Sequence, residues 1–107
     1  MEKERLIKFY ERNKARYDDM YRAYQDSGDP KYMYSANRYR DYVDISEAAL
    51  SAADDRKDAT YFRSALASFF DMACRARFNQ NLDMHKELAG AIIAFGEIEM
   101  NWRNRYK

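Results

Sequence analysis

Residues that interrupt helices are scarce in this chain of 107 residues, which contains three glycines and one proline. Folds made of strands and tight turns need many such residues, so their scarcity favours long helices and argues against a sheet. The composition, 47% hydrophobic and 35% charged, is that of a globular protein and not of a disordered one. The length is typical of one domain, and we therefore expect a single domain over residues 1–107.

Metal ligands and thiols are equally scarce, because Cys74 is the only cysteine and His85 the only histidine. One cysteine cannot form an intrachain disulfide, which favours a reducing compartment. A di-metal bundle requires Glu-x-x-His pairs, and Leu82 stands three residues before His85. Because Cys74 directly follows the stripe residue Ala73, we expect it to fill space in the core as a small apolar residue. The sequence thus predicts no metal, no cofactor and no catalytic residue, and we expect that the protein is not an enzyme.

Long apolar runs are absent. The longest candidate, residues 89–95, contains Gly90 and falls well short of the roughly 18 residues that span a bilayer. The first five residues, Met1–Arg5, lack the apolar region of a signal peptide. Lysine and arginine number 19 against 18 acidic residues, whereas a domain that coats duplex nucleic acid is usually more basic. These features predict a cytoplasmic protein without a membrane partner.

Apolar residues recur at helical spacing in four segments, for which we predict helices over residues 2–25, 30–53, 58–77 and 82–105. Polar residues interrupt only the first two stripes, at Asn13 and Ser46. Spacing near 3.5 residues predicts helices that pack at shallow angles, so the expected fold is an all-α, antiparallel up-down bundle of three to four helices. The stripes consist of Leu6, Tyr10, Tyr17, Met20 and Tyr24; Tyr32, Ala36, Tyr39, Val43, Leu50 and Ala53; Ala59, Phe62, Leu66, Phe69, Ala73 and Ala76; and Met84, Leu88, Ala91, Phe95, Ile98 and Trp102.

The helix boundaries carry signals of unequal strength. Asp29 followed by Pro30 is a typical helix start, and Ser27 and Gly28 close the preceding turn. Residues 79–81 form a second predicted loop and cap. Between residues 54 and 58 the only signal is Asp58, which would cap a third helix. Because residues 31–78 contain neither glycine nor proline, one long helix over 30–78 remains the alternative.

Tyrosine is concentrated in the first half of the chain, where eight of the ten tyrosines lie between Tyr10 and Tyr42. Tyrosine and arginine are enriched in binding hot spots. Large residues also fall off the stripes, and one small core cannot bury them all. We expect the stripe residues Tyr10, Tyr17 and Tyr39 to serve the core. The predicted partner-binding face of the first helical hairpin consists of Arg12, Arg16, Tyr21, Tyr34, Arg38 and Tyr42. The off-stripe residues are Ile7, Tyr21, Met33, Tyr34, Tyr61, Phe70, Phe78, Ile93 and Met100.

These patterns favour a small non-enzymatic protein-binding module, with a protein partner or a homodimer as its target. Small helical bundles of this kind are common in phages and mobile elements as inhibitors or adaptors, an association that suggests the same role here. Two alternatives stay open. Interleaved arginine and tyrosine would also suit a nucleic-acid-associated regulatory protein, and the excess apolar surface would suit a homo-oligomeric structural protein.

Overall fold

The chain forms four α-helices in a computed structural model that describes residues 3–106. They are α1 (Glu4–Ser27), α2 (Pro30–Ala52), α3 (Ala59–Phe78) and α4 (Leu82–Arg105), with a 3-10 turn at Arg56–Asp58 before α3. The described residues contain no strand, so the all-α prediction is confirmed. The alternative of one helix over 30–78 is wrong, because α2 ends at Ala52. The predicted start of the first helix at residue 2 lies outside the described residues.

The connection between α1 and α2 follows the predicted chemistry. Gly28 adopts φ 69°, a left-handed conformation that glycine tolerates best, and its N–H donates to the Tyr24 carbonyl at 2.7 Å. The Asp29 carboxylate accepts a hydrogen bond from the Lys31 N–H at 3.1 Å, and Pro30 occupies the first helical position. Two residues therefore suffice to end one helix and start the next.

The other two helix starts differ in how well they were predicted. Before α4, the Asn81 side chain accepts from the Met84 N–H at 3.3 Å, which confirms the predicted cap. Before α3, Asp58 occupies the predicted N-cap position, but its side chain makes no capping hydrogen bond. Instead Asp55 accepts from the Lys57 N–H at 2.9 Å, one turn earlier. Asp55 thus caps the 3-10 turn that precedes α3, and not α3 itself.

A single hydrophobic cluster draws residues from all four helices. At its centre, the ring of Phe95 lies 4.7 Å from that of Phe62 and 5.2 Å from that of Phe69. The Trp102 indole N–H donates to the Ala53 carbonyl at 3.1 Å and ties the end of α4 to the end of α2. All six residues of the fourth predicted stripe are buried.

The core differs from the predicted stripes at several positions, and most residues of the first stripe are only half-buried. Leu66, a residue of the third stripe, is half-buried and packs against the edge of the cluster, as does Ile92, which lies on no stripe. Phe9, which lies on no predicted stripe, is buried in it. Cys74 is exposed, so the expectation that it fills the core is wrong. Ala73 occupies the core position, and the next residue points about 100° away around the helix.

The two polar residues that interrupt the first two stripes, Asn13 and Ser46, are fully buried. The Asn13 amide N–H donates to the Phe9 carbonyl at 2.9 Å, and its oxygen accepts from Arg16 at 3.2 Å. The Ser46 hydroxyl donates to the Tyr42 carbonyl. Both polar groups are thus satisfied within the core, as buried polar groups must be if they are not to destabilise it.

The molecule is elongated, with dimensions of 55 × 26 × 22 Å. Its radius of gyration is 15.1 Å, whereas a compact chain of this length would have about 13 Å. The longest helices have 24 residues and span about 36 Å each, so the helices must be staggered along the long axis. Between residues 17 and 35 no residue is buried. We call residues 17–35, which flank the α1–α2 turn, the distal segment.

Within residues 3–106, no helix combines the length and the apolar character that crossing a membrane requires.

Candidate functional site

Three of the six residues predicted to bind a partner lie together on α2. Tyr34, Arg38 and Tyr42 follow each other at four-residue intervals, which places them along one face of the helix. They line one wall of an open groove of about 640 Å³ between α2 and α3. We call it the α2–α3 groove. Its remaining lining residues are Asn37 and Asp41 of α2, Met72, Arg75 and Ala76 of α3, and Asn79 and Asn81 of the turn before α4.

The side chains of the α2 wall differ in their surroundings. Tyr34 is 75% exposed, and Arg38 is exposed without an ion pair to any described residue. Tyr42, expected to point outward, is half-buried, with its ring edge-on to Phe9 at 6.0 Å. Desolvation raises the pKa of the Tyr42 phenol above its ordinary value, an effect that the nearby Arg38 and Arg75 charges oppose. The phenol therefore stays neutral at neutral pH and keeps its hydrogen-bond donor.

The opposite wall supplies amides and one more cation. Asn79 and Asn81 lie in the turn between α3 and α4, outside both helices. Arg75 is held by Asp71 at 2.7 Å, one turn back on α3. Side-chain amides both donate and accept hydrogen bonds, as a peptide backbone does. The groove thus combines phenol, guanidinium and amide groups beside an exposed tyrosine, a set that can bind a polypeptide segment.

Arg12 and Arg16 lie elsewhere, in a second open groove of about 550 Å³ between α1 and α4. Both terminal nitrogens of Arg16 donate to Glu87, each at 2.7 Å. The hydrogen bonding that Arg16 donates to Glu87 raises the pKa of this half-buried guanidinium, which lies over the Tyr39 ring, 5.9 Å from the ring centre. Arg16 therefore ties α1 to α4, and it is less available to a partner than the sequence suggested.

The rest of the α1–α4 groove is mainly basic, although Asp83 also lines it. Arg5, Lys8 and Arg12 line it from α1, and Lys86 faces them from α4. Lys8 is paired with Glu4 at 3.2 Å. The other three cations make no ion pair within residues 3–106. The sequence grouped Arg12 with the tyrosines of α2, whereas the structure places it on a separate, cationic surface.

The distal segment carries most of the remaining tyrosines. Tyr21, the sixth predicted contact residue, is 40% exposed and stacks on Tyr17 with ring centres 6.0 Å apart. Of the three tyrosines expected to serve the core, only Tyr39 packs against the cluster, while Tyr10 and Tyr17 line a shallow groove between α1 and α2. The large residues of the segment are Tyr17, Met20, Tyr21, Tyr24, Tyr32, Met33 and Tyr34, all half-buried or exposed.

The sequence did not point to the α3 wall of the α2–α3 groove. Met72, Arg75 and the two turn asparagines are ordinary helix and loop residues, and only the packing of α3 on α2 brings them opposite Tyr34. The four-residue spacing of Met72 and Ala76 does place them on one face of a helix. It does not indicate which other helix that face contacts.

Groups that would support chemistry or metal binding are dispersed. Among the described residues, no three His, Cys, Asp or Glu side chains are placed to hold a metal ion. The Nδ1 atom of His85 lies 2.9 Å from the Ala73 carbonyl. Cys74 lies exposed on the outer side of α3.

No protein-family model, curated protein or solved structure matches this chain.

Proposed function

We propose that this protein is a non-enzymatic protein-binding module that acts as an inhibitor or adaptor through the α2–α3 groove and the adjoining distal segment. The observation that carries the proposal is the convergence of Tyr34, Arg38 and Tyr42 on one groove whose far wall is rich in amides. Tyrosine offers a large rigid contact area, and arginine adds directional hydrogen bonds, so a few such residues can dominate affinity.

The distal segment supports the same proposal because it has no core of its own. It presents seven tyrosines and methionines, yet none of its residues is buried. A two-helix segment without a core gains little stability from these side chains, since stability comes from apolar burial. A partner that covered them would gain that burial free energy. Methionine adapts its shape readily to a bound surface.

We further infer an antiparallel, up-down arrangement of the helices and a cytoplasmic location. The beginning of α1 contacts the end of α2, because Lys3 pairs with Asp54 and, further along, Phe9 contacts Tyr42. Residue numbers thus fall along α2 as they rise along α1, and the short connection of residues 28–29 favours the same arrangement. The exposed thiol of Cys74 suits a reducing compartment.

A double substitution, Tyr34→Ala with Arg38→Ala, tests the binding proposal. Both side chains are exposed, so the free energy of unfolding should change by only about 0.5 kcal/mol. Affinity-tagged protein recovered from its native cells should lose its stoichiometric partner. The matched control is Tyr61→Ala with Arg105→Ala, which removes an equally exposed tyrosine and arginine far from the groove. Retention of the partner by the groove variant would contradict the proposal, as would loss of the partner by the control.

The α1–α4 groove favours a second candidate function, the binding of nucleic-acid phosphates. Arg5, Arg12 and Lys86 face the groove, in which they outnumber the acidic residues Asp83 and Glu87, and this excess of cations suits phosphate contacts. Binding of single-stranded DNA would then weaken steeply as salt rises, because counterions are released on binding. Arg5→Glu with Arg12→Glu should abolish such binding, whereas Arg22→Glu, on the distal segment, should not. Affinity that is independent of salt would exclude this function.

A further inference from the structure

A second apolar stripe runs along the outside of α4. It comprises Leu82, Ala89, Ile93, Gly96 and Met100, all exposed. Their separations of seven, four, three and four residues follow the heptad rhythm of a helix that packs on another helix at a shallow angle. The core-facing stripe of α4 is already satisfied inside the bundle, so this outer stripe is an additional helix-packing surface without a partner among the described residues.

A matching stripe lies on the outside of α3. Ala67, Phe70, Cys74 and Phe78 succeed each other at spacings of three, four and four residues, and all are exposed. Phe78 is 87% exposed, the largest value among the exposed large hydrophobic residues. Phe70 is half exposed. A phenylalanine side chain that is this exposed contributes no burial free energy to the stability of a monomer.

The two stripes are neighbours on one face, which we call the α3–α4 outer face. The Arg63 side chain of α3 lies 3.3 Å from the Glu99 carboxylate of α4. Arg63 is one turn before Ala67, and Glu99 directly precedes Met100. At the other end of the helix pair, the ring of His85 meets the Ala73 carbonyl. These two contacts mark the seam between α3 and α4, and the stripes flank it. Five large hydrophobic residues are at least half exposed on this single face, a concentration typical of interaction surfaces.

We propose that the α3–α4 outer face binds the same face of a second copy of this chain. Self-association requires a surface that does not repel itself, and here the cation and the anion at the seam, Arg63 and Glu99, already neutralise each other. A heptad stripe is best covered by a helix that carries a stripe of the same period, and α4 of a second copy offers one. Ala89 and Gly96 alternate with Ile93 and Met100, so large side chains of one copy can sit over small ones of the other.

The size of the face agrees with a dimer. A face that follows the 24 residues of α4 is about 36 Å long, and two adjacent helices are about 20 Å wide. The product, about 700 Å² per copy, is close to the roughly 800 Å² that each partner buries in a stable complex.

A dimer of this kind leaves the proposed binding surface accessible. α1 and α2 cover the core sides of α4 and α3, away from the outer face. Each copy would therefore present its own α2–α3 groove and distal segment, and the dimer would bind partners in pairs. Bivalent engagement raises the effective affinity for a partner that is itself oligomeric.

Sedimentation of the purified full chain tests the proposal without any partner. From about 1 µM to about 1 mM protein, the mass should rise from 12.8 kDa towards twice that value. Phe78→Glu and Ile93→Glu should each raise the dissociation constant at least about thirtyfold, because each places a charge in an apolar contact. Tyr61→Glu, which changes a tyrosine that is 76% exposed on another side of α3, should leave the dissociation constant unchanged. Helical circular dichroism checks that all three variants are folded.

The single thiol gives an independent readout, because Cys74 lies within the outer face. Its modification by a thiol reagent should slow as the dimer forms, and Phe78→Glu should restore the faster rate. A wild-type chain that stays monomeric to about 1 mM overturns the proposal. So does a dimer that survives both glutamate substitutions, or one that Tyr61→Glu also dissociates. The failure of this proposal would leave the groove experiment with Tyr34 and Arg38 unaffected.

Discussion

Phe95 is the residue on which the core depends most. Its ring contacts those of Phe62 and Phe69, and all three are fully buried. Phe95→Ala should therefore lower the free energy of unfolding by about 3–5 kcal/mol, from lost burial and from the cavity left behind. Tyr61→Ala, at an exposed aromatic position, should cost about 0.5 kcal/mol or less. Chemical denaturation at low protein concentration measures both, and similar losses for the two variants would mean that the core is misplaced.

Indole hydrogen bonding at Trp102 gives a second prediction for a single residue. The indole N–H is the donor that satisfies the buried Ala53 carbonyl at the end of α2. Trp102→Phe keeps an aromatic ring but removes this donor, and we expect a loss of about 1–3 kcal/mol. The loss should appear in thermal and chemical denaturation alike. An unchanged stability would show that the carbonyl finds water instead.

At the scale of the helices, two glycines should respond to alanine in opposite directions. Gly28 ends α1 with φ 69°, where a Cβ is strained, so Gly28→Ala should destabilise the protein by about 1–2 kcal/mol. Gly90 lies inside α4, and a Cβ added there meets no atom within 4 Å. Gly90→Ala should thus stabilise the protein by about 0.5–1 kcal/mol, since alanine favours helix. Two changes of the same sign in melting temperature would contradict the assigned ends of these helices.

The helices were largely predictable from the sequence because their signals are local. The stripe of α4 and the caps at Asp29 and Asn81 depend on residues a few positions apart, and the structure confirms them. The start of α3 was predicted to within one residue, because Asp58 does occupy the N-cap position, but the capping hydrogen bond comes from Asp55 to the preceding 3-10 turn, a choice that only the backbone decides. The buried face of α1 was shifted by one residue at Phe9, since tyrosines and phenylalanine give several nearly equal stripes.

The candidate site was less predictable, because it depends on which helices are neighbours. Tyr34, Arg38 and Tyr42 could be grouped by their four-residue spacing alone. Arg12 was grouped with them because both helices flank one turn, yet it faces α4 instead. Spacing along a chain fixes which residues share a helix face, but the neighbour of that face is set by the packing of all four helices.

On the scale of the whole molecule, the core and the proposed binding surface occupy different regions. The core joins all four helices at one end of the elongated molecule, and the distal segment extends beyond it. The α2–α3 groove lies where the two regions meet. This arrangement would leave the proposed binding surface supported by the core on one side and open on the other, as a rigid recognition surface requires.

Site-specific photocrosslinking tests the central claim, that partners bind at the α2–α3 groove, most directly. A benzophenone amino acid would replace Tyr34 in one variant and Tyr61 in the other, two helical tyrosines of nearly equal exposure, 75% and 76%. Because benzophenone reacts only within a few ångströms, irradiation in the native cells should crosslink the variant at position 34 to one discrete protein and leave the variant at position 61 without that product. A crosslinked partner at position 61 and none at position 34 would contradict the account.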